Sequence, residues 1–186
     1  ISGGSALQDL FMEELPSKRL QTLINAGSSI PNASAHRYFG GFYEFSAHDK
    51  GNYVAFVGTD NNFSEPLQDR FFGSYLLAMQ TGTLQKIVDT QDSTPSAHQA
   101  RSRRFHSVSA AVVYETASGT YAAFSGTDAP SGGRELVMRL HLASGHREVL
   151  LDSLTTRLSE LSAPQLCEGA ANALGPPVRR WLLFFA

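Results

Sequence analysis

A short segment that occurs twice constrains the fold of this chain more than any other feature. Residues 51–60 (GNYVAFVGTD) return at 119–128 as GTYAAFSGTD. A second shared block follows each copy, at 75–89 and 138–152, and a fainter copy of that block lies at 11–25. The copies are spaced by roughly 63 to 68 residues, and such spacing indicates one structural unit repeated in tandem.

The hydrophobic pattern predicts four short strands in each unit. Residues 39–45 and 105–114 are aromatic and β-branched runs, which favour strands. Apolar and polar residues alternate along 136–142, which is the period of a half-buried strand. Gly82 and Gly145 occupy the places where tight hairpin turns belong, because glycine tolerates a positive φ. Each unit is therefore predicted to be a four-stranded antiparallel meander.

A four-stranded meander repeated in tandem is the blade of a β-propeller. The middle unit carries V-A-F-x-G-T at 54–59, G-x-Y at 73–75, and L-x-x-I-x-D-T followed by a proline at 84–95. In these motifs the chain resembles a family of tandem-repeat β-propellers, mostly secreted or surface proteins of bacteria with uncharacterised functions. The resemblance implies a propeller scaffold and an extracellular or cell-surface location, and it brings no catalytic residues.

We therefore expect an all-β chain of tandem four-stranded antiparallel meanders, forming a partial β-propeller of about two and a half blades. The propeller would occupy 1–152, with a half blade near 10–25 and blades near 39–89 and 105–152. Residues 153–186 match no repeat, and we expect an irregular or partly helical tail there. Because closed propellers have about four or more blades, we expect completion by further blades of a longer chain or by self-association.

Composition and spacing argue against several classes of protein. Fifteen Lys+Arg against seventeen Asp+Glu give a net charge of −2, so we expect no nucleic-acid partner. A single cysteine cannot form an intrachain disulfide or a thiolate zinc site. The apolar runs are too short for a membrane span. The six histidines lack the spacing of metal-binding motifs, so we expect no metal and no cofactor.

The candidate binding residues are two aspartates and a basic cluster. Asp60 and Asp128 end the two copies of Gly-Thr-Asp, and they could form a carboxylate rim that binds calcium or a sugar. The alternative is turn chemistry, in which an aspartate binds its own backbone, and their recurrence with the repeat favours it. Arg101, Arg103 and Arg104 could hold a phosphate or a sulfated glycan, although a solvated loop between blades explains them better.

The function that the sequence favours is a non-catalytic scaffold or binding module for a protein or a glycan. Loops on a rigid repeat array carry binding by default, so the loops between blades would face the partner. The alternative is a fragment of a propeller hydrolase or lyase that acts on a glycan at the ring axis. The chain has no Gly-x-Ser-x-Gly elbow and no phosphate-binding glycine loop, so its catalytic residues, if any, stay unknown.

Overall fold

The computed structural model describes residues 9–14, 18–33, 37–60, 71–95, 103–130 and 133–153. Throughout these ranges the regular structure is β-strand, and all strand pairs are antiparallel. The predicted all-β class is therefore confirmed. The predicted tail lies outside the described residues beyond Ser153, and so does Arg101.

The strands form three sheets. The first sheet pairs β1 (Leu10–Glu14) with β2 (Arg19–Ile24). The second has, in chain order, β3 (Phe39–Ala47), β4 (Tyr53–Asp60), β5 (Phe72–Ala78) and β6 (Thr83–Asp89). The third contains β7 (Ser107–Val108), β8 (Val112–Thr116), β9 (Gly119–Thr127), β10 (Glu135–His141) and β11 (Arg147–Asp152). Both β7 and β8 pair with β9, so together they form the first strand of that sheet.

The strand predicted over 105–114 is divided into β7 and β8. Val108 pairs with Gly126 and Val112 pairs with Ala123, so the first strand carries one residue more than its partner between these pairs. An extra residue interrupts the hydrogen-bonded ladder and bends the strand, which is a β-bulge. A bulge leaves the hydrophobicity of a run unchanged, and the apolar pattern therefore did not indicate it.

The first strand of the second sheet has a bulge at the corresponding place. Tyr43 pairs with Val57 and Phe45 pairs with Phe56, which leaves Glu44 without a cross-strand partner in the ladder. Glu44 has a φ of 45°, in the left-handed region that non-glycine residues rarely adopt. Both first strands thus bend at the same point of the unit.

The repeated glycine of the Gly-Thr-Asp segment makes room for an aromatic ring. A Cβ added to Gly58 would lie 2.5 Å from the ring of Phe39, and one added to Gly126 would lie 2.7 Å from the ring of Phe105. Real side chains do not approach so closely, so each ring can lie over its neighbouring strand only because the glycine has no side chain. The glycine and the aromatic residue therefore form one recurring contact.

The sheets stack as three layers with the core between them. The first sheet packs on the second through a cluster that includes Leu10, Ile24, Phe39, Phe42, Phe56 and Tyr75. The opposite face of the second sheet packs on the third through a cluster that includes Ala55, Leu76, Ile87, Phe124, Met138 and Leu140. Successive side chains of a strand point to opposite faces, which lets the second sheet contribute to both clusters.

Each layer presents the same face to the layer before it. Phe56 and Phe124 occupy the same place in the repeated segment, and each packs toward the preceding sheet. Their neighbours Ala55 and Ala123 point to the other side. Ala55 contacts the third sheet, whereas Ala123 packs with Tyr114 on the outer face of the third sheet. The second and third sheets therefore stack in the same orientation, each with the same face toward the sheet before it, and we call this head-to-tail stacking.

Tyr75 provides a test of how completely this core excludes water. The side chain is fully buried, and burial, followed by the charge of Asp89, raises the pKa of the phenol far above its usual range. The native state keeps this proton where the unfolded chain would release it, so the free energy of unfolding should fall as the pH rises above about 10. Tyrosinate absorbance should show one component that appears only together with unfolding measured by circular dichroism.

The matched variant for this alkaline titration is Tyr75→Phe. It should show a smaller late tyrosinate component, since Tyr114, whose pKa is also raised by burial, still contributes to it. Its alkaline unfolding midpoint should move to higher pH, because one group whose ionisation opposes folding is gone. Complete tyrosine ionisation in a wild-type chain that keeps its native circular dichroism would contradict the prediction.

Candidate functional site

A groove opens between the second and third sheets, beside their first strands. Its main part has a volume of about 520 Å³ and is lined by Tyr43, Glu44, Val57, Phe72, His106, Ser107, Val108 and Pro130. A smaller part of about 320 Å³ shares His106, Ser107 and Pro130 and extends to Thr127, Ala129, Gly133 and Glu135. We call the two parts together the first-strand groove.

The bulge at Glu44 shapes one wall of the first-strand groove. The Glu44 carboxylate accepts a hydrogen bond from the backbone N–H of Ala110 in the third sheet, at 3.0 Å. Beside it, the Tyr43 ring packs against the Phe72 ring with their centroids 6.5 Å apart, and about half of Tyr43 stays exposed. The bulge thus ties the two sheets together and leaves the Tyr43 ring facing the groove.

The opposite wall is held by hydrogen bonds to the end of β9. The backbone N–H of His106 donates to the Thr127 carbonyl at 2.6 Å. The Ser107 and Thr127 hydroxyls lie 2.8 Å apart and share a hydrogen bond. These contacts fix the backbone of His106 and Ser107, so the imidazole and the hydroxyl line a wall of defined shape.

The groove therefore combines two kinds of surface. Tyr43, Phe72 and Pro130 supply apolar surface, while Glu44, His106 and Ser107 supply a carboxylate, an imidazole and a hydroxyl. Binding sites for small molecules commonly join apolar walls with a few fixed polar groups that orient the ligand. The arrangement suits a ligand with one apolar face and a rim of hydrogen-bonding groups.

The predicted aspartates lie outside this groove and are ion-paired. Asp60 is buried and binds the guanidinium of Arg37. The side chain of Asp128 is 2 % exposed, lies 3.6 Å from the Arg103 guanidinium, and accepts the backbone N–H of Arg134 at 2.7 Å. In both units an arginine shortly before the first strand thus meets the aspartate that ends the repeated segment. These contacts support the interpretation of Asp60 and Asp128 as structural.

Turn chemistry of the kind considered for Asp60 and Asp128 is clearest at a third aspartate, Asp89. Its carboxylate accepts the backbone N–H groups of Gln91 at 2.8 Å and Asp92 at 3.0 Å, which closes the turn after β6. Lys86 completes the group, with its ammonium 3.0 Å from Asp89 and 2.9 Å from Asp92. Burial opposes the charge of Lys86, but hydrogen bonds to both carboxylates outweigh it and raise the lysine pKa.

Two residues of the predicted basic cluster lie within the described residues, and they make different contacts. Arg103 is more than half exposed and faces Asp128, while Arg104 is exposed and forms a backbone bridge with Ser93. Neither lines the first-strand groove. Arg101 lies outside the described residues, so its place relative to the other two stays untested.

A buried ion pair holds the end of the third sheet. Arg134 donates to both carboxylate oxygens of Asp152, at 2.8 and 2.5 Å, and to the carbonyl of Pro95 at 2.5 Å. Both charged side chains are buried, and the hydrogen bonds to Asp152 raise the pKa of Arg134. The pair thus joins the last strand to the segment that precedes the third sheet.

Sequence reasoning missed the residues that line the groove. Tyr43 and Glu44 belong to the second sheet and His106 and Ser107 to the third, and no short motif joins them. A signal was present at Glu44, which is the single charge inside the aromatic run 42–45. A charged residue in an apolar strand is a reason to expect a bulge or an exposed edge.

Comparisons with protein-family models, with curated proteins and with solved structures find no match to this chain. Within the described residues, no group of three or more histidine, cysteine, aspartate or glutamate side chains is placed to hold a metal ion. The same part of the chain contains no helix that is long and apolar enough to cross a membrane.

Proposed function

We propose that the chain is a binding module, a segment of a β-propeller whose ligand occupies the first-strand groove. The head-to-tail stacking of the sheets supports the propeller, because blades around a ring repeat one face-to-face contact. In such a ring the first strands β3 and β7 would line the central channel, and the groove between them would open toward the axis. About two and a half blades would then lie within 1–152.

The mixed lining of the groove favours a glycan as the ligand. A sugar ring has an apolar face, which can stack on an aromatic ring, and a rim of hydroxyls that need hydrogen-bond partners. Tyr43 supplies an exposed ring, and Glu44 and Ser107 supply polar groups beside it. A propeller that binds glycans would fit the extracellular or cell-surface location that we also propose.

Tyr43→Ala tests this function. A panel of soluble oligosaccharides should be screened against the chain by saturation-transfer NMR, and the affinity of each binder measured. We expect Tyr43→Ala to weaken binding by about tenfold, the effect of losing roughly 1.4 kcal/mol of ring contact. Tyr38→Ala is the matched control, because Tyr38 is 50 % exposed, against 47 % for Tyr43, and lies outside the groove lining.

The screen also separates the other candidates. Equal affinities of the wild type and Tyr43→Ala would show that the ligand does not occupy the first-strand groove. Binding of peptides but of no oligosaccharide would favour a protein partner. Cleavage of an oligosaccharide, lost in Glu44→Gln, would favour the alternative of a glycan hydrolase or lyase, for which Glu44 and Glu135 are the carboxylates at the groove.

A further inference from the structure

The first sheet has two strands where the following sheets have a complete meander. The shared sequence block places β1 and β2 in the positions of β5 and β6, and of β10 and β11. On the side away from β6, β5 is hydrogen-bonded to β4. On the side away from β11, β10 is hydrogen-bonded to β9. Within the described ranges, β1 pairs with β2 alone, so the edge that would receive a second strand has no strand beside it.

On the same side, the second sheet has an exposed aromatic residue. Phe45 pairs with Phe56, which packs toward the first sheet, yet Phe45 is 56 % exposed. In the next unit, Phe124 takes the place of Phe56. Because Val112 pairs with Ala123, the residue opposite Phe124 is Ala111, which therefore corresponds to Phe45. Ala111 is fully buried in the cluster between the second and third sheets. Within the described ranges, the layer before Ala111 has four strands and the layer before Phe45 has two, which accounts for the difference.

We propose that a two-stranded antiparallel β-segment docks beside β1, completes the first sheet to four strands and covers Phe45. The second and third sheets indicate how this segment should pair and which side chains it should carry. Its inner strand should pair antiparallel with β1, as β4 pairs with β5. That strand should present small aliphatic side chains to Phe45, as Ala55 faces the third sheet. Exposed strand edges bind partner strands through backbone hydrogen bonds, with alternate side chains providing specificity.

This docking surface lies apart from the first-strand groove. Phe45 pairs with Phe56, which packs on the side of the first sheet, whereas Tyr43 lines the groove between the second and third sheets. The inference rests on the stacking of the layers and not on any ligand of the groove. A failed glycan screen would leave it standing, and a failed docking experiment would leave the groove unaffected.

A synthetic peptide with the sequence of residues 39–60 is the probe, because it carries β3, β4 and the turn between them. It is added to the 186-residue chain, and hydrogen exchange of the Leu10–Glu14 amides is measured. We expect exchange in β1 to slow by about tenfold at a peptide concentration that gives nine-tenths occupancy. A peptide with Val57→Pro should give no protection, since proline removes a backbone donor and interrupts pairing.

Phe45→Glu in the chain tests the covered face separately. The side chain is exposed, so the variant should fold as the wild type does, and it should bind the peptide at least about tenfold more weakly because docking would bury a charge. Unchanged exchange in β1 at saturating soluble peptide would overturn the proposal. Altered exchange in β5 would indicate strand replacement and would also overturn it. Protection of β1 that grows with chain concentration in the absence of peptide would assign the edge to a second copy instead.

Discussion

Arg134→Leu is expected to lower the free energy of unfolding by about 3 to 5 kcal/mol, the usual effect of removing one partner from a buried ion pair. Arg134 contacts both carboxylate oxygens of Asp152 and the Pro95 carbonyl, and all of these hydrogen bonds would be lost. The carboxylate would stay buried without the guanidinium that balances its charge. Urea unfolding followed by circular dichroism measures the loss as a lower midpoint with an unchanged slope.

Glu148→Gln is the matched control for Arg134→Leu. Glu148 of β11 pairs with Arg139 of β10, so the interaction also holds β11 in the third sheet but lies at the surface. Exposed ion pairs contribute less than about 1 kcal/mol, and we expect a correspondingly small change. The double variant Arg134→Leu with Asp152→Leu should recover much of the lost stability, because no buried charge remains. Equal losses in Arg134→Leu and Glu148→Gln would contradict the assigned role of the buried pair.

Phe39→Ala is expected to cost about 3 to 5 kcal/mol, in the range found for truncation of buried aromatic side chains. Phe39 is completely buried, and its ring lies 5.0 Å from that of Tyr75 and 5.3 Å from that of Phe42. Because Gly58 has no side chain beneath the ring, truncation would leave a cavity that the neighbouring strand cannot fill. The loss should appear in the same urea experiment.

Phe45→Ala is the control for Phe39→Ala, since both residues are phenylalanines of β3. Phe45 is largely exposed, so the substitution removes little buried surface and should change stability by less than about 0.5 kcal/mol. A loss in Phe45→Ala as large as that in Phe39→Ala would mean that Phe45 is buried in solution.

The strands and turns could be predicted because they depend on local sequence. Alternation along 136–142 matches β10, and the predicted turns contain Gly82 with a φ of 66° and Gly145 with a φ of 70°. The apolar pattern alone does not predict the bulge at Glu44, because one extra residue changes the register without changing which residues are apolar, and the lone charge of Glu44 is the one local sign of it.

The candidate site was harder to predict than the fold, because it forms only when layers stack. Tyr43 and His106 are separated by about one full unit of sequence, and they meet through the packing of the second sheet on the third. The ion pair between Arg37 and Asp60 is hard to predict for the same reason. Arg37 precedes the strand that lies beside Asp60, and its role becomes visible only once that strand is paired.

The contact between each glycine and its aromatic ring affects which pieces of a unit could be exchanged by recombination. Phe39 over Gly58 and Phe105 over Gly126 are equivalent, so a first strand moved from one unit to the other would still find a glycine beneath its ring. The third strands differ, because Gly73 leaves room for the Tyr75 ring, whereas Leu136 and Met138 occupy those places in β10. Tyr75 and Gly73 therefore have to be inherited together. The two units have diverged in groups of contacting residues and not one residue at a time.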